Sequence, residues 1–238
     1  MSLTKHVPNA ITSMNLLSGV LGVIFALEGH LGWAFPLMIL AAVFDFCDGL
    51  AARLLHAYSP IGKELDSLAD LVSFGVLPAL MLYKVQPADA HFLLRFLPLF
   101  VAVMSALRLA KFNVDERQTL DFIGLPTPSC AMVCGSLAYL MDRMGGVPEG
   151  AGPWLVAAVS VILGLLLVSE IPMFGMKIKK GHKLLDTKRI AFLILAAACI
   201  LATVLMHGNW SLAVLTVFSA YIVENLVLAV INSCRRGA

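Results

Sequence analysis

Residues 45–70 read DFCDGLAARLLHAYSPIGKELDSLAD, and they lie between two apolar runs, 32–44 and 71–83. Four aspartates, Asp45, Asp48, Asp66 and Asp70, therefore stand at the ends of two hydrophobic segments. The surrounding chain makes this placement costly. Of its 238 residues 60% are hydrophobic and only 13% are charged, more apolar surface than a soluble domain of this length can hide from water. The solvent for most of the chain is lipid, and the expected fold class is an all-α, polytopic integral membrane helical bundle.

A helix crosses the hydrocarbon core with about 20 mostly apolar residues. That window predicts about eight transmembrane helices, centred on 10–27, 32–55, 65–84, 91–112, 127–144, 153–170, 189–207 and 210–232. The Gly- and Pro-rich turn MGGVPEGAGP separates the fifth from the sixth, and the short HGNW the last two. The first apolar run lacks a small-residue cleavage site and is read as a retained span. No internal repeat is evident. Six of these expected spans fall within residues 1–170, and residues 171–238 hold a basic loop and the other two. Cys130 and Cys134 lie one helical turn apart, and the five cysteines show no zinc or disulfide spacing. They read as small apolar residues of membrane helices.

Eight spans put both termini on one side. That side would carry fourteen of the seventeen Lys and Arg residues, including Lys5, Arg53, Lys63, Arg108, Lys111, Arg117 and the loop KIKKGHKLLDTKR, leaving Lys84, Arg95 and Arg143 opposite. The positive-inside rule makes the richer side cytoplasmic. A prokaryotic-type cytoplasmic membrane is expected, with both termini and residues 45–70 facing the cytosol. The basic loop also suits anionic lipid headgroups. No nucleic-acid module is visible.

Asp45 and Asp48 are spaced i,i+3 and Asp66 and Asp70 i,i+4, so each pair shares one helix face. A short turn at Ser59-Pro60 makes the two helices antiparallel neighbours whose pairs face each other. Each Asp deep in a span costs about 2.5–3.5 kcal/mol, less near its end, and four together repel. Arg53 and Lys63 offset part of this charge. Divalent cations meet the remainder, and oxygen ligands without His or Cys suit Mg²⁺, Mn²⁺ or Ca²⁺, with room for two ions. Gly49, Ala52 and Gly62 on the same faces allow a ligand or a backbone to approach closely. The plainer alternative is a set of snorkelling charges at helix ends with small residues for packing.

The pattern Asp45-x2-Asp48-Gly49-x2-Ala52-Arg53-x8-Gly62-x3-Asp66-x3-Asp70 resembles, at every position, the signature of the CDP-alcohol phosphotransferases. The resemblance covers the first six spans. It implies a two-metal site, a CDP-linked lipid donor, an alcohol acceptor and a homodimer. It also implies that Asp45, Asp48 and Asp66 are metal ligands, that Asp70 is both close to the metals and the general base, and that Gly49, Ala52 and Arg53 contact the CDP moiety. HVPNAITSMN resembles the segment with which many members begin. Its Asn9 and Thr12 would contact the nucleotide or, equally, cap the first helix.

SALRLAKFNV, FIGLPTPSC and DSLADLVSFGVLPA resemble the phosphatidylserine synthase branch of the family, which implies CDP-diacylglycerol and L-serine as substrates. Serine carries a carboxylate that suits Arg108, with Lys111 and Asn113 in support and Ser73 on the face of Asp70. Snorkelling anchors and a helix-packing serine are the alternatives. Thr127 reads as an N-cap with Pro128 at the first helical position. Glycerol 3-phosphate or an inositol phosphate would be other acceptors, each needing more than one cation. A different class, an ion or proton transporter, would also place carboxylates in the membrane. Against it, the acids gather near one face, and among the other spans only Glu224 lies at mid-depth, where it reads as a lone hydrogen bonder facing the bundle.

Overall fold

The computed structural model of the chain describes residues 6–115, 122–173 and 209–236, with isolated helical positions between 196 and 203. Pro8 stands in the first turn of α1, Val7–Leu27, where a missing N–H costs nothing. After a tight turn at Gly29 (φ +85°), α2 runs Leu31–Leu54. Ser59 caps α3, Pro60–Asp70: its hydroxyl accepts from the Gly62 N–H at 2.9 Å, and Pro60 follows in the first turn. The helix then widens into a π-helical stretch, Leu71–Val76, and continues as α4, Leu77–Val85. Pro78 supplies a reason. It has no N–H for the carbonyl of Phe74, and its ring crowds that carbonyl, so the wider turn relieves both.

The remaining helices are α5, Phe92–Phe96, joined by the 3₁₀ turn Leu97–Leu99 to α6, Phe100–Val114; α7, Thr127–Arg143; α8, Gly152–Val168; and α9, Trp210–Arg236. Among the described residues five stretches are long and apolar enough to cross a membrane: Val7–Leu27, Leu31–Leu54, Pro60–Val85, Phe92–Val114 and Trp210–Ile231. The apolar α8 is shorter, at 17 residues. The chain is an all-α, polytopic integral membrane protein. The expected span 189–207 and the basic loop before it fall almost wholly outside the described residues.

Helix α1 packs along α2 and also against α3, the π-helical stretch and α4. Gly19 and Gly22 make this possible: a methyl group on Gly19 would lie 2.2 Å from Ser73 Oγ, and one on Gly22 2.6 Å from a Leu77 methyl. Phe35, Met38, Phe74, Leu77, Met81 and Leu82 are fully buried in the centre. At one end Phe35 of α2 stacks on Trp210 of α9 at 4.9 Å, with Tyr139 of α7 5.4 Å from Phe35. All three tryptophans, Trp33, Trp154 and Trp210, stand in the first turn of α2, α8 and α9 and remain 46–66% exposed. An aromatic set of this kind belongs at the lipid–water boundary.

At the other end two strands too short for the sequence pattern to announce, β1 (Phe122–Ile123) and β2 (Pro172–Met173), pair antiparallel. The Gly124 N–H donates to the Ile171 carbonyl at 2.9 Å, and the Leu125 N–H to Leu166. Gly124 has φ +79°, and a methyl group there would lie 2.5 Å from the Leu167 carbonyl, so only glycine fits. This clasp ties the entry of α7 to the exit of α8.

Candidate active site

The aspartates gather where α1, α2 and α3 meet. Each of Asp45, Asp48 and Asp66 brings a carboxylate oxygen within 4.8 Å of the other two. Three ionised carboxylates this close repel one another unless a proton or cation lies among them. Asp48 Oδ2 and Asp66 Oδ1 are buried with no hydrogen-bond partner among the described residues. Buried, open carboxylate oxygens are what a hard divalent cation requires. The trio fits such an ion, and the acidic cluster is able to hold one.

Asp70 is nearly fully buried one turn beyond Asp66 and stands outside that trio. Asn15 Nδ2 donates to its Oδ1 at 3.3 Å. Asp45, Asp66 and Arg108 all lie within electrostatic reach of it. Arg108, only 6% exposed, donates from Nη1 to Thr127 Oγ1 at 3.2 Å and lies over the Phe112 ring at 5.1 Å. Thr127 is therefore the first residue of α7 rather than its cap; its hydroxyl receives Arg108 instead of a backbone N–H.

Beside the trio is a cavity of about 210 Å³, lined by Asn9, Thr12, Asp48, Gly49, Ala52, Tyr58, Ser59, Gly62, Lys63 and Asp66 among others. Asn9 and Thr12 lie inside α1, whose cap position is His6, so neither caps it. Thr12 donates to the Pro8 carbonyl at 3.0 Å and neighbours Asp48. The small residues divide into two kinds. A methyl group on Gly49 would meet nothing within 4 Å, so that glycine faces open space. One on Gly62 would lie 2.9 Å from both Asn9 Oδ1 and Ser59 Oγ, so that glycine admits α1. Direct backbone contact between α2 and α3 is sparse; α1 bridges them, and the gap is the cavity.

Other expected residues stand differently. Arg53 is exposed in the last turn of α2 and does not line the cavity. Lys63 lines it while its ammonium donates to the Asn113 carbonyl at 2.9 Å. Asn113 Nδ2 donates to Ser67 Oγ at 2.9 Å, which ties α6 to α3. Lys111 pairs with Glu170 at 3.6 Å on the surface. Ser73 is fully buried and donates to the Asn15 carbonyl at 3.1 Å. Glu224, expected to be a hydrogen bonder, has its buried Oε2 without a partner among the described residues. Two polar residues escaped the sequence reading. Thr127 reads from sequence only as a cap, and Asn15 continues the i,i+3 series Asn9, Thr12 on a helix whose other polar side chains are Ser13 and Ser18.

Fold and site together define a helical membrane protein with a cation-ready carboxylate cluster beside a small cavity at one end of the bundle. Residues 5–169 match the CDP-alcohol phosphatidyltransferase family, and the chain belongs to it. Among its relatives is a CDP-diacylglycerol–serine O-phosphatidyltransferase of Bacillus subtilis, 34% identical over 167 residues, covering 70% of this chain and 89% of the relative. A protein of the same name from Mycobacterium tuberculosis is 35% identical over 209 residues, covering 83% and 70%. An archaetidylserine synthase of Methanothermobacter thermautotrophicus is 34% identical over 161 residues, 66% of each chain.

Proposed function

We propose that this protein transfers the phosphatidyl group of CDP-diacylglycerol to the hydroxyl of L-serine, giving phosphatidylserine and CMP. The observation that carries the reading is the carboxylate trio, two of whose members, Asp48 and Asp66, line a cavity together with the signature residues Gly49, Ala52 and Gly62, in a chain whose relatives bear serine-transferase names.

In this reading Asp45, Asp48 and Asp66, with Asp70 alongside, would hold two divalent ions, Mg²⁺ or Mn²⁺. When bound, such ions would neutralise the diphosphate and polarise the phosphorus that is attacked. Asn9, Thr12, Gly49 and Ala52 receive the nucleotide, with Arg53 at its exposed edge. Asp70 takes the proton of the serine hydroxyl as the oxygen bonds to phosphorus and the bond to CMP breaks. Arg108, buried and within reach of Asp70, receives the serine carboxylate. Ser73, Lys111 and Asn113 have polar atoms engaged by Asn15, Glu170 and Ser67, which favours shaping this end of the bundle over direct contact.

An acceptor panel tests the assignment. Purified protein with CDP-diacylglycerol is expected to release CMP with L-serine and not with glycerol 3-phosphate or inositol phosphate. Release with a phosphorylated acceptor alone would move the chain to another branch, and release with no acceptor dependence would remove the transferase reading.

The same proposal places both termini and the site on the cytoplasmic side, following the charge bias. Reporter fusions after residue 238 and in the turn at Gly146 are expected to report opposite sides, the first cytoplasmic. A C-terminal reporter found outside would overturn both the span count and the placement of the site.

A further inference from the structure

Asn15 is fully buried in the middle of α1, yet its carboxamide is only half satisfied. Nδ2 donates to Asp70 Oδ1 at 3.3 Å, while Oδ1 has no partner among the described residues. A buried acceptor without a partner is costly, and leucine would fill the same volume without that cost. The backbone of the same residue is also engaged, because its carbonyl accepts from Ser73 one turn beyond Asp70. Gly19 brings α1 close enough for this, with Ser73 directly against it. Asn15 thus holds the helix of Asp70 at two points. The amide nitrogen faces Asp70 and donates to its carboxyl oxygen, which accepts.

Asp70 has one oxygen taken by this amide, and it is the aspartate of the four that stands outside the close trio. We infer that Asn15 is a positioning residue for the proposed transfer: it holds one oxygen of Asp70, keeps that carboxylate apart from Asp45, Asp48 and Asp66, and leaves the second oxygen as the one that meets the acceptor hydroxyl. The inference rests on the reading of Asp70 as the base. It separates the four aspartates into three that gather as cation ligands and one whose orientation is set from α1.

The test is a double-mutant cycle on the full-length protein in detergent, with single-turnover rate, KM for serine, donor affinity and half-saturating Mn²⁺ measured for each variant. Asn15→Leu is expected to lower the rate about 10- to 100-fold, the scale of a catalytic group displaced by about 1 Å. KM for serine, donor affinity and the Mn²⁺ requirement should each stay within about 2-fold, the level at which a positioning loss is distinguished from a binding loss. Its thermal midpoint should equal or exceed that of the parent. In the Asp70→Asn background Asn15→Leu should cost no further rate, since the group it positions is gone.

A rate within 2-fold of the parent overturns the inference. So does a loss that excess Mn²⁺ restores, or one that multiplies with Asp70→Asn, because either shows that Asn15 acts elsewhere. Should Asn15→Leu fail to accumulate, Asn15→Asp keeps the shape but cannot donate when ionised, and is read by the same criteria. An Asp70→Asn enzyme with a normal rate would instead defeat the base assignment, whatever Asn15→Leu does.

Discussion

Alanine at Asp45, Asp48 or Asp66 is expected to abolish turnover, by at least ~10³-fold, while the protein still inserts and keeps its fold. The magnitude follows from the several kcal/mol that a bound cation contributes to stabilising charge on a phosphoryl group. Each of the three brings an oxygen within 4.8 Å of the other two, so removing any one opens the same site. The folded protein should gain stability, if anything, because the repulsion among the remaining carboxylates falls. Chelation should reproduce the effect without mutation: EDTA silences the parent enzyme, and added Mn²⁺ or Mg²⁺ restores it. CMP release across a metal titration, with membrane insertion followed in parallel, makes the measurement. Turnover that survives chelation would remove the cation from the mechanism.

Asp70→Asn should separate a base from a ligand. The substitution keeps the shape, and the Asn15 amide still finds an oxygen to donate to. Loss of a general base costs ~10²–10⁴-fold in rate, so the variant should bind CDP-diacylglycerol nearly as tightly as the parent and turn over at least ~10²-fold more slowly. Raising Mn²⁺ should not rescue it. Asp66→Asn should instead lose donor affinity and regain part of its rate at high Mn²⁺. Donor affinity and single-turnover rate for both variants, across the same metal titration, decide the matter. Rescue of Asp70→Asn by metal would make Asp70 a ligand and require another base.

Five of the eight expected spans were legible because lipid imposes one rule on them, about twenty apolar residues without interruption. The helices α1, α2 and α6 begin or end within a few residues of the expected positions. The carboxylate cluster was legible for the opposite reason, since four charges in such a chain are too costly to be accidental. What escaped depended on contacts between distant residues. Thr127 followed by Pro128 looks like a cap from sequence alone, and nothing local reveals that Arg108, nineteen residues earlier, takes its hydroxyl. The π-helical stretch Leu71–Val76 keeps the apolar composition of an ordinary helix, so hydropathy passes over it. Lys111 and Asn113 have the right chemistry for an anionic acceptor, and only the fold shows Glu170 and Ser67 beside them. Arg53 belongs to the signature, yet its exposure at the end of α2 follows from where that helix stops.

The cluster runs from the last three turns of α2 to the second half of α3, on the side of the bundle where the Ser59 turn joins the two helices. In the proposed transfer the acyl chains take no part, so a lipid whose headgroup is exchanged there would stay in the monolayer from which the donor came. Every molecule made in this way would be delivered to one leaflet. A membrane supplied only in this way would accumulate area on a single side and bend, so growth of a flat bilayer requires a separate activity that moves the new lipid across.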